Sequence, residues 1–553
     1  MTRHEALWRI HETLKGLSFR EVGPGAADYE GTIKVHGKPV DIRLSIPDVR
    51  FGTKPQITLL NRLQVPLELL AHIETDSGIC YASGAGLPLD LYRPGEAILR
   101  VLDEAKRTLE LSFKDGARRE IIDEYQSYWY PQRYINCFLP RKATAQIVKA
   151  KMFRATNGKG STVRCLAEEP MLTGYHPTIL NSAEVWYTDK PIRPAGKLNA
   201  PSTLEELKVW LNAQLGLSVD RSARGFEVLA RCEALFIAAP NAFVGVKIIL
   251  PSDLQAGVER GSIRVKALPG LLRTRAAAIQ LERLSAVWCS IEDVVDRNNN
   301  AVRNLRDLSI ALVGCGTIGS HLARMLVQSG AGIAGRFSLY DNQRLSEGNI
   351  GRHLLGFADI GKPKASALKA ELQRFHPQVK VAAYHEDALN AWPHIADHDL
   401  VIDATGEWNI QSALNEQFLE DDNPRIKALL HTWVFMNGAG AQSFLNLRDE
   451  HACFRCLKPE FDGPWRFPAG NEKDELNLQP ASCGDGAFVP FGVDASMMAA
   501  SLALRAAMDW ANGHTGARLR TVPVDYERGR YHRPITPDPS PRCPACAPRR
   551  VRK

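Results

Sequence analysis

The sequence predicts an α/β multidomain protein with three parts. The first is an N-terminal α+β domain, the second an α/β connecting domain, and the third a doubly wound, mostly parallel C-terminal domain. A chain of 553 residues is long enough for roughly two to four domains. Its C-terminal half alternates short apolar runs with helical periodicity, which is typical of a parallel sheet with crossover helices. Its beginning places a helix, three alternating runs and a second helix in succession, which predicts an antiparallel meander. We expect domains at residues 1–125, 126–295 and 296–553.

The first domain is predicted from its periodicity. Helical spacing covers residues 4–17 and 95–111, and apolar–polar alternation covers 29–35, 40–45 and 56–60. A hairpin turn is expected at residues 36–38. Between the last strand and the second helix, Cys80 lies in a polar, glycine-containing loop. An exposed thiol there could carry an acyl group, whereas the alternative is a buried core cysteine.

The connecting region, residues 126–295, is less informative. Its aromatic start predicts a packing surface between domains, and residues 202–215 predict an amphipathic helix with a Ser202/Glu205 capping box. Residues 232–250 predict two buried strands, and 276–295 a helix. The Gly/Ser-rich loop 156–162 lacks the spacing of a P-loop. The cysteines of this region are expected to be structural: Cys137, Cys165, Cys232 and Cys289.

A nucleotide site is predicted where the apolar run 310–313 breaks into Gly314-Cys-Gly-Thr-Ile-Gly319 and continues as a helix. Gly314, Gly316 and Gly319 permit a tight turn and a close approach of the backbone to a phosphate, which the N–H groups of the new helix then face. This motif alone leaves a nicotinamide or flavin dehydrogenase open.

The residues after the loop favour ATP. A second strand, 337–340, ends at Asp341, and a third strand ends at Asp403. Asn349, Arg352 and Lys364 lie between them. A dehydrogenase does not need an Asn, an Arg and a Lys around a triphosphate. An enzyme that must neutralise the charge developing on phosphates does need such side chains.

This order of motifs resembles the adenylation domain of the ThiF/MoeB and ubiquitin-activating enzyme family. The resemblance implies that the ribose of ATP is held by Asp341 and its phosphates by Asn349, Arg352 and Lys364. It also places Asp403 near Mg²⁺. The family usually has a second Asp three residues later, where this chain has Gly406 followed by Glu407. Either Asp403 or Glu407 would therefore serve the metal.

Two Cys-x-x-Cys pairs predict a metal site near the C-terminus. Cys453 and Cys456 form one pair, and Cys543 and Cys546 form the other. Together they supply four thiolates for a closed, structural Zn²⁺ site, whereas a redox Cys-x-x-Cys would not need its twin. ThiF-like enzymes carry the same two pairs. Cys483 lies in a polar loop between them, and the resemblance implies that it is the thioester-forming nucleophile rather than an inert turn cysteine.

The N-terminal domain resembles ubiquitin-conjugating enzymes. The family pattern His-Pro-Asn, Gly-x-Ile-Cys, Trp-x-Pro is matched here by His72, Gly78, Ile79, Cys80, Tyr92 and Pro94. The resemblance implies that Cys80 accepts the acyl group. Glu74 stands where the family has the Asn that helps to stabilise the oxyanion.

Together the two resemblances identify a fused conjugating and activating enzyme, as in bacterial operons for ubiquitin-like proteins and in CBASS anti-phage operons. They imply ATP-dependent adenylation of a protein C-terminus, a thioester on Cys483, transfer to Cys80 and conjugation to an amine of a target protein. The implied partner is a cyclic-nucleotide synthase or a ubiquitin-like protein, and we expect a homodimer. Two alternatives are a sulfur-carrier adenylyltransferase and a nucleotide-sensing scaffold without turnover.

Composition sets the remaining expectations. The net charge of +7 is modest for this length, so we expect no nucleic-acid partner. No apolar stretch reaches about 18 residues, and the N-terminus lacks a signal-peptide core, so we expect a cytoplasmic protein without a membrane span. The eleven cysteines then indicate reduced thiols, metal ligands or catalysis rather than disulfides.

Overall fold

The computed structural model describes residues 1–23, 27–61, 71–73, 77–82, 86–113, 117–170, 172, 174–194, 200–215, 219–231, 233–297, 304–480 and 487–548. Three larger β structures follow one another along these residues. They are a four-stranded sheet, a closed barrel of seven strands and a seven-stranded sheet. We call the units built on them the N-terminal unit, the barrel and the C-terminal unit. The predicted α/β multidomain class is confirmed.

The N-terminal unit packs two helices on one face of an antiparallel sheet in the order β1-β2-β3-β4. Its elements are α1 (Arg3–Gly16), β1 (Arg20–Glu21), β2 (Asp28–Val35), β3 (Lys38–Ser45), β4 (Gln56–Leu59), α2 (Pro94–Ser112) and α3 (Ala117–Asp123). Alternate residues of β2 and β3 are buried against α1 and α2, because successive side chains of a strand point to opposite faces. The predicted hairpin is confirmed. His36 and Gly37 both have left-handed φ, 48° and 80°, as a two-residue type I′ turn requires.

The barrel has the strand order β10-β11-β5-β7-β6-β8-β9. Its strands are β5 (Arg133–Cys137), β6 (Gln146–Asn157), β7 (Thr162–Ala167), β8 (Tyr175–Tyr187), β9 (Ala234–Ala238), β10 (Phe243–Ile249) and β11 (Gln280–Trp288). Its helices are α4 (Leu204–Leu215), α5 (Val219–Ala230), α6 (Ser252–Glu259), α7 (Leu268–Thr274) and α8 (Ile291–Asp296). The two strands predicted within 232–250 are confirmed as β9 and β10.

Two local predictions for this region are wrong. Residues 276–295 do not form one helix, because Gln280–Trp288 is strand β11, which pairs with β10 and β5, and only α8 follows it. The capping box lies one residue later than expected. Thr203 Oγ1 accepts from the Glu206 amide at 3.2 Å, and the Glu206 carboxylate accepts from the Thr203 amide at 3.2 Å.

A short 3₁₀ helix, Tyr125–Trp129, joins the first two units. Tyr128 is buried with Ala71 of the N-terminal unit, while Trp129 packs on Trp210 of the barrel with ring centroids 5.2 Å apart. Tyr125 accepts a hydrogen bond from Trp210 Nε1 at 2.9 Å. The aromatic residues therefore form the predicted packing surface between domains.

The C-terminal unit has the strand order β14-β13-β12-β15-β16-β17-β20. The first five strands are parallel, and β17 pairs antiparallel with both β16 and β20. Its strands are β12 (Ile310–Val313), β13 (Phe337–Tyr340), β14 (Val381–Tyr384), β15 (Leu400–Asp403), β16 (Ala428–Phe435), β17 (Gly440–Asn446), β18 (Gln479–Pro480), β19 (Ala487–Phe488) and β20 (Leu519–Pro523). Its helices are α9 (Thr317–Gln328), α10 (Lys364–Phe375), α11 (Trp392–Ile395), α12 (Trp408–Glu420) and α13 (Val493–Ala511). Helices α9, α10 and α13 cover one face, and α11 and α12 the other, which confirms the doubly wound prediction.

Side-chain amides and imidazoles join the barrel to the C-terminal unit. Gln378 donates to the Phe138 carbonyl at 2.9 Å and accepts from the Ile291 amide at 3.1 Å, while His376 Nε2 lies 2.9 Å from the Cys289 carbonyl. Within the described ranges, no helix is both long enough and apolar enough to cross a bilayer.

Candidate functional site

The glycine-rich turn connects β12 to α9 at the carboxyl end of the parallel strands. Gly314 has φ +86°, and a Cβ there would lie 2.9 Å from the Thr405 amide nitrogen. A Cβ on Gly319 would lie 1.8 Å from the Gly314 carbonyl oxygen, whereas one on Gly316 would meet open space. The residue at the N-cap of α9 is Gly316, which has no side chain to cap the first turn. The amides of that first turn therefore face an opening that suits an anion.

Two residues that follow strand β13, Asp341 and His353, bond to the backbone of the turn. Asp341 accepts hydrogen bonds from the amides of Cys315 and Gln343, both at 2.7 Å. His353 Nδ1 accepts from the Leu355 amide, so Nε2 carries the proton that is donated to the Cys315 carbonyl at 2.7 Å. Burial lowers the pKa of His353 to about 4, so its ring is neutral near pH 7. Cys315 itself is buried, which raises the pKa of its thiol and leaves it unreactive.

The structure brings Lys364 to the same place as Asp341. Lys364 begins α10 and is buried, and its Nζ donates to Gln343 Oε1 at 2.7 Å. Gln343 also donates its amide to Asp341, so one residue links the two predicted site residues. Asn349 Oδ1 accepts from the Ser346 amide at 3.1 Å in a short capping turn.

Arg352 follows Asn349 in the loop between β13 and α10. Its guanidinium stacks over the Phe491 ring with 4.5 Å between Cζ and the ring centroid, just before α13. Burial lowers the pKa of this guanidinium, which leaves it a partly desolvated cation. A partly desolvated cation interacts strongly with phosphate oxygens.

Asp403 is completely buried at the end of β15. Its Oδ1 accepts from the amide and hydroxyl of Thr405, at 3.0 and 2.7 Å, and its Oδ2 accepts from His431 Nδ1 at 2.7 Å. These bonds shape the loop that packs against Gly314. Glu407, in contrast, is exposed at the start of α12. Sequence reasoning missed His431, although a histidine within the apolar strand Ala428–Phe435 was a usable signal.

The four C-terminal cysteines are buried together. Their sulfurs lie within 4.8 Å of one another, with 3.6 Å between Cys453 and Cys543 and 3.3 Å between Cys456 and Cys546. The Ser540 amide also points at Cys456 Sγ, at 3.4 Å. A tetrahedral zinc with Zn–S bonds of about 2.3 Å would set its sulfurs about 3.8 Å apart. The donor set and its spacing therefore fit Zn²⁺.

Cys80 is exposed beside the edge strand of the N-terminal sheet. Its segment extends that sheet, because the Ile79 amide donates to the Ile57 carbonyl at 2.8 Å and the Leu59 amide donates to the Ser77 carbonyl at 2.9 Å. The neighbours of Cys80 on both sides, Ile79 and Tyr81, are buried. The thiol is thus presented to solvent from a well-anchored backbone.

The backbone of His72 bonds to the backbone of Cys80. The His72 carbonyl accepts from the Cys80 amide at 2.8 Å, and its own amide donates to the Tyr128 hydroxyl at 2.9 Å. The imidazole lies 3.5 Å from carboxylate oxygens of Glu120 and Glu124. The predicted residue Cys483 lies outside the described residues, as does Glu74.

Two family models match the chain. Residues 292–545 match the ThiF family, and residues 6–140 match prokaryotic E2 family B. The chain is 27% identical to the ATP-dependent ubiquitin transferase-like protein Cap2 of Pseudomonas aeruginosa (strain BWHPSA011 / Pa011), over 99% of this chain and 100% of that protein. It is 27% identical to the molybdopterin-synthase adenylyltransferase of Escherichia coli (strain K12), over 28% of this chain and 61% of that protein. A crystal structure of E. coli MccB with ATP aligns at 17% identity and a TM-score of 0.33, over 44% of this chain and 68% of that chain.

The ThiF match, with the adenylyltransferase among the relatives, defines the C-terminal unit as an adenylyltransferase domain. The N-terminal unit, with its exposed cysteine, matches an E2 family. The whole chain is a fused E2-like and E1-like enzyme of the bacterial kind.

Proposed function

We propose that this enzyme activates the C-terminus of a protein with ATP, carries it as a thioester on Cys483 and then Cys80, and joins it to an amine of a target protein. The observation that carries the proposal is the exposed Cys80 thiol in the E2-like unit of a chain that also holds a ThiF domain. A sulfur-carrier adenylyltransferase would have no use for that thiol. The name of the Pseudomonas relative, a ubiquitin transferase-like protein, supports transfer of a protein rather than of a small molecule.

In the first step a C-terminal carboxylate oxygen attacks the α-phosphorus of ATP, and the bond from that phosphorus to the bridging oxygen breaks to release pyrophosphate. The amides of the Gly314–Gly319 turn, with Asn349, Arg352 and Lys364, would hold the phosphates and neutralise charge that develops on them. Asp341 would hold the ribose.

A bound Mg²⁺ would add charge neutralisation at the phosphates. Asp403 was predicted to lie near that metal, but it is completely buried, and its oxygens bond to Thr405 and His431. The exposed carboxylate of Glu407 fits the metal better. The four buried cysteines would hold Zn²⁺ in a closed site, which ties residues 453–456 to residues 543–546 and takes no part in the reaction.

In the next steps the Cys483 thiolate attacks the activated carbonyl and AMP leaves. The Cys80 thiolate then attacks the Cys483 thioester, so that the Cys483 thiolate leaves. Finally an amine attacks the Cys80 thioester, loses a proton to water, and frees the Cys80 thiolate. Each step exchanges one acyl bond for another, which divides a difficult condensation into activated stages.

The proposal extends to the cellular setting through the stated resemblance. The activated protein is a cyclic-nucleotide synthase or a ubiquitin-like protein, the enzyme acts as a homodimer in the cytoplasm, and its role is anti-phage defence. The products of neighbouring genes are the first candidates for the activated protein.

The test compares Cys80→Ala and Cys483→Ala with wild type. Pyrophosphate exchange into ATP is measured with each candidate partner, and thioester-linked species are resolved on non-reducing gels. We expect Cys80→Ala to keep exchange and lose conjugation, and Cys483→Ala to block loading of both cysteines. Cys289→Ala, at a half-buried cysteine of the barrel, is the control and should behave as wild type. Normal conjugation by Cys80→Ala would contradict the proposal.

A further inference from the structure

The Cys80 loop is held by a segment that lies outside the N-terminal sheet. Helix α3 and the 3₁₀ helix Tyr125–Trp129 follow the second helix of that unit and lead into the barrel. Tyr128, on this segment, is only 6% exposed and packs with Ala71 and Ile121. This connecting segment, residues 117–129, thus contacts Ala71, which directly precedes the bonding partner of Cys80, His72.

Two hydrogen bonds in series run from Tyr128 to Cys80. The His72 amide donates to the Tyr128 hydroxyl at 2.9 Å, and the His72 carbonyl accepts from the Cys80 amide at 2.8 Å. Between them His72 has φ +61°, a left-handed conformation that a non-glycine residue adopts only when its surroundings hold it there. The preceding residue is fixed as well, because the Ala71 carbonyl accepts from Ser112 Oγ at 2.8 Å.

The phenol is suited to this place because it stays neutral. Burial raises the pKa of Tyr128 to about 12, and the hydrogen bond from His72 only partly opposes this effect. Around it the His72 ring lies 3.5 Å from carboxylate oxygens of both Glu120 and Glu124 of the same connecting segment. A carboxylate at this position would add a third negative charge to those of Glu120 and Glu124, close to the Cys80 thiol. The neutral hydroxyl of Tyr128 holds His72 without adding that charge.

We propose that Tyr128 is a positioning residue for acyl transfer at Cys80, in a chain where Glu74 replaces the asparagine of the E2 pattern. Its phenol oxygen fixes His72, and the His72 carbonyl in turn fixes the amide of Cys80. The angle at which the thioester carbonyl meets an amine then depends on the connecting segment. Because small errors of position slow such reactions strongly, loosening this pair of bonds slows transfer. This inference rests on the proposed role of Cys80.

The experiment uses the full chain and a probe that needs neither the partner nor Cys483. A glycine-ended peptide thioester of 2-mercaptoethanesulfonate loads Cys80 by exchange, which releases the sulfonate thiol. Free lysine then discharges the peptide, and peptide mapping by mass spectrometry follows Cys80 itself. Tyr128→Phe is compared with Tyr125→Phe, a matched change in the same 3₁₀ helix. The Tyr125→Phe change also leaves a buried N–H donor, Trp210 Nε1, without its acceptor.

We expect Tyr128→Phe to lower the maximal discharge rate by about tenfold or more with the half-saturating lysine concentration unchanged, and Tyr125→Phe to stay within about twofold of wild type. Thermal unfolding sets a temperature at which both variants are folded. Hydrogen exchange over residues 71–82 should quicken in Tyr128→Phe alone. Equal discharge rates for the two variants would overturn the inference and leave the proposed function standing. If wild type fails to load Cys80 while a control thiol peptide does load, the proposed function itself fails.

Discussion

The two reactive regions of this enzyme are supported in different ways. The glycine-rich turn of the C-terminal unit is held by its own sheet, because Asp341, at the end of the next strand, and His353, in the loop that follows, bond to the amide and carbonyl of Cys315. The Cys80 loop is held from outside its sheet, since Tyr128 lies 56 residues beyond its bonding partner His72. The turn glycines and Asp341 belong to a spaced sequence motif, whereas no motif marks Tyr128 as a support of the Cys80 loop.

The largest expected effect tests whether the four-cysteine cluster stabilises the C-terminal unit. Cys543→Ser removes one of four thiolates whose cluster forms a small core with Phe454 and Trp433. Structural zinc contributes on the order of 10 kcal/mol to the folding of small sites, so we expect loss of the metal and unfolding of the unit. Metal analysis and thermal unfolding measure this. Cys289→Ser should keep its zinc, and a Cys543→Ser protein of unchanged stability would show that the cluster is not structural.

The second prediction separates packing from binding within the turn. Gly319→Ala places a methyl group 1.8 Å from the Gly314 carbonyl oxygen, so we expect a loss of about 3 kcal/mol in the free energy of unfolding. Gly316→Ala meets open space and should cost less than about 1 kcal/mol. Urea unfolding measures both values. ATP binding by calorimetry should weaken in both variants, and unchanged binding by Gly316→Ala would place the phosphates elsewhere.

Sequence reasoning described the C-terminal unit well because its signals are local. The strand predicted at residues 310–313 is β12 and is followed by helix α9, as expected, and strands β13 and β15 end within a residue of Asp341 and Asp403. The barrel escaped prediction because it is closed by pairs between distant strands. Leu281 and Leu284 fit a helical period as well as the barrel wall, and only the pairing of β11 with β5 decides between them.

The same reasoning explains which of the interacting residues the sequence pointed to. The turn glycines, Asp341 and Lys364 belong to spaced motifs, and the structure brings them together. His353, His431 and Tyr128 act through single hydrogen bonds to other site residues, and no spacing rule marks them. A polar side chain inside an apolar strand, as at His431, was the one available clue.

The third prediction concerns acid. The folded pKa of His353 is about 4, below the value of 6.5 expected when it is unfolded. The unfolded chain therefore takes up the proton first. Stability from the neutral ring is fully present above pH 6.5 and is lost as the pH falls towards 4. We expect about 2 kcal/mol of this loss between pH 7 and pH 5. His353→Gln should flatten that part of the stability curve, and an identical curve for the variant would assign the acid sensitivity to other groups.

The smallest expected effect concerns the Cys80 side. His72→Gly relieves a left-handed φ at a gain of about 1 kcal/mol and loses contacts to two carboxylates that are 41% exposed, which are worth about as much or less. The free energy of unfolding should therefore change by less than about 1 kcal/mol in denaturant titrations. A much larger loss would mean that the imidazole, and not only the backbone of His72, holds the loop.

The cysteine cluster also changes how the enzyme responds to proteolysis. The sulfurs of Cys456 and Cys546 lie 3.3 Å apart, so a Zn²⁺ ion bound by both cysteine pairs would join the two ends of the segment between them. With the metal bound, a single proteolytic cut within that segment would leave both fragments attached, and gel filtration would report an intact molecule. Release of the fragments would then need a chelator together with a denaturant, so proteolysis near Cys483 would go undetected during purification.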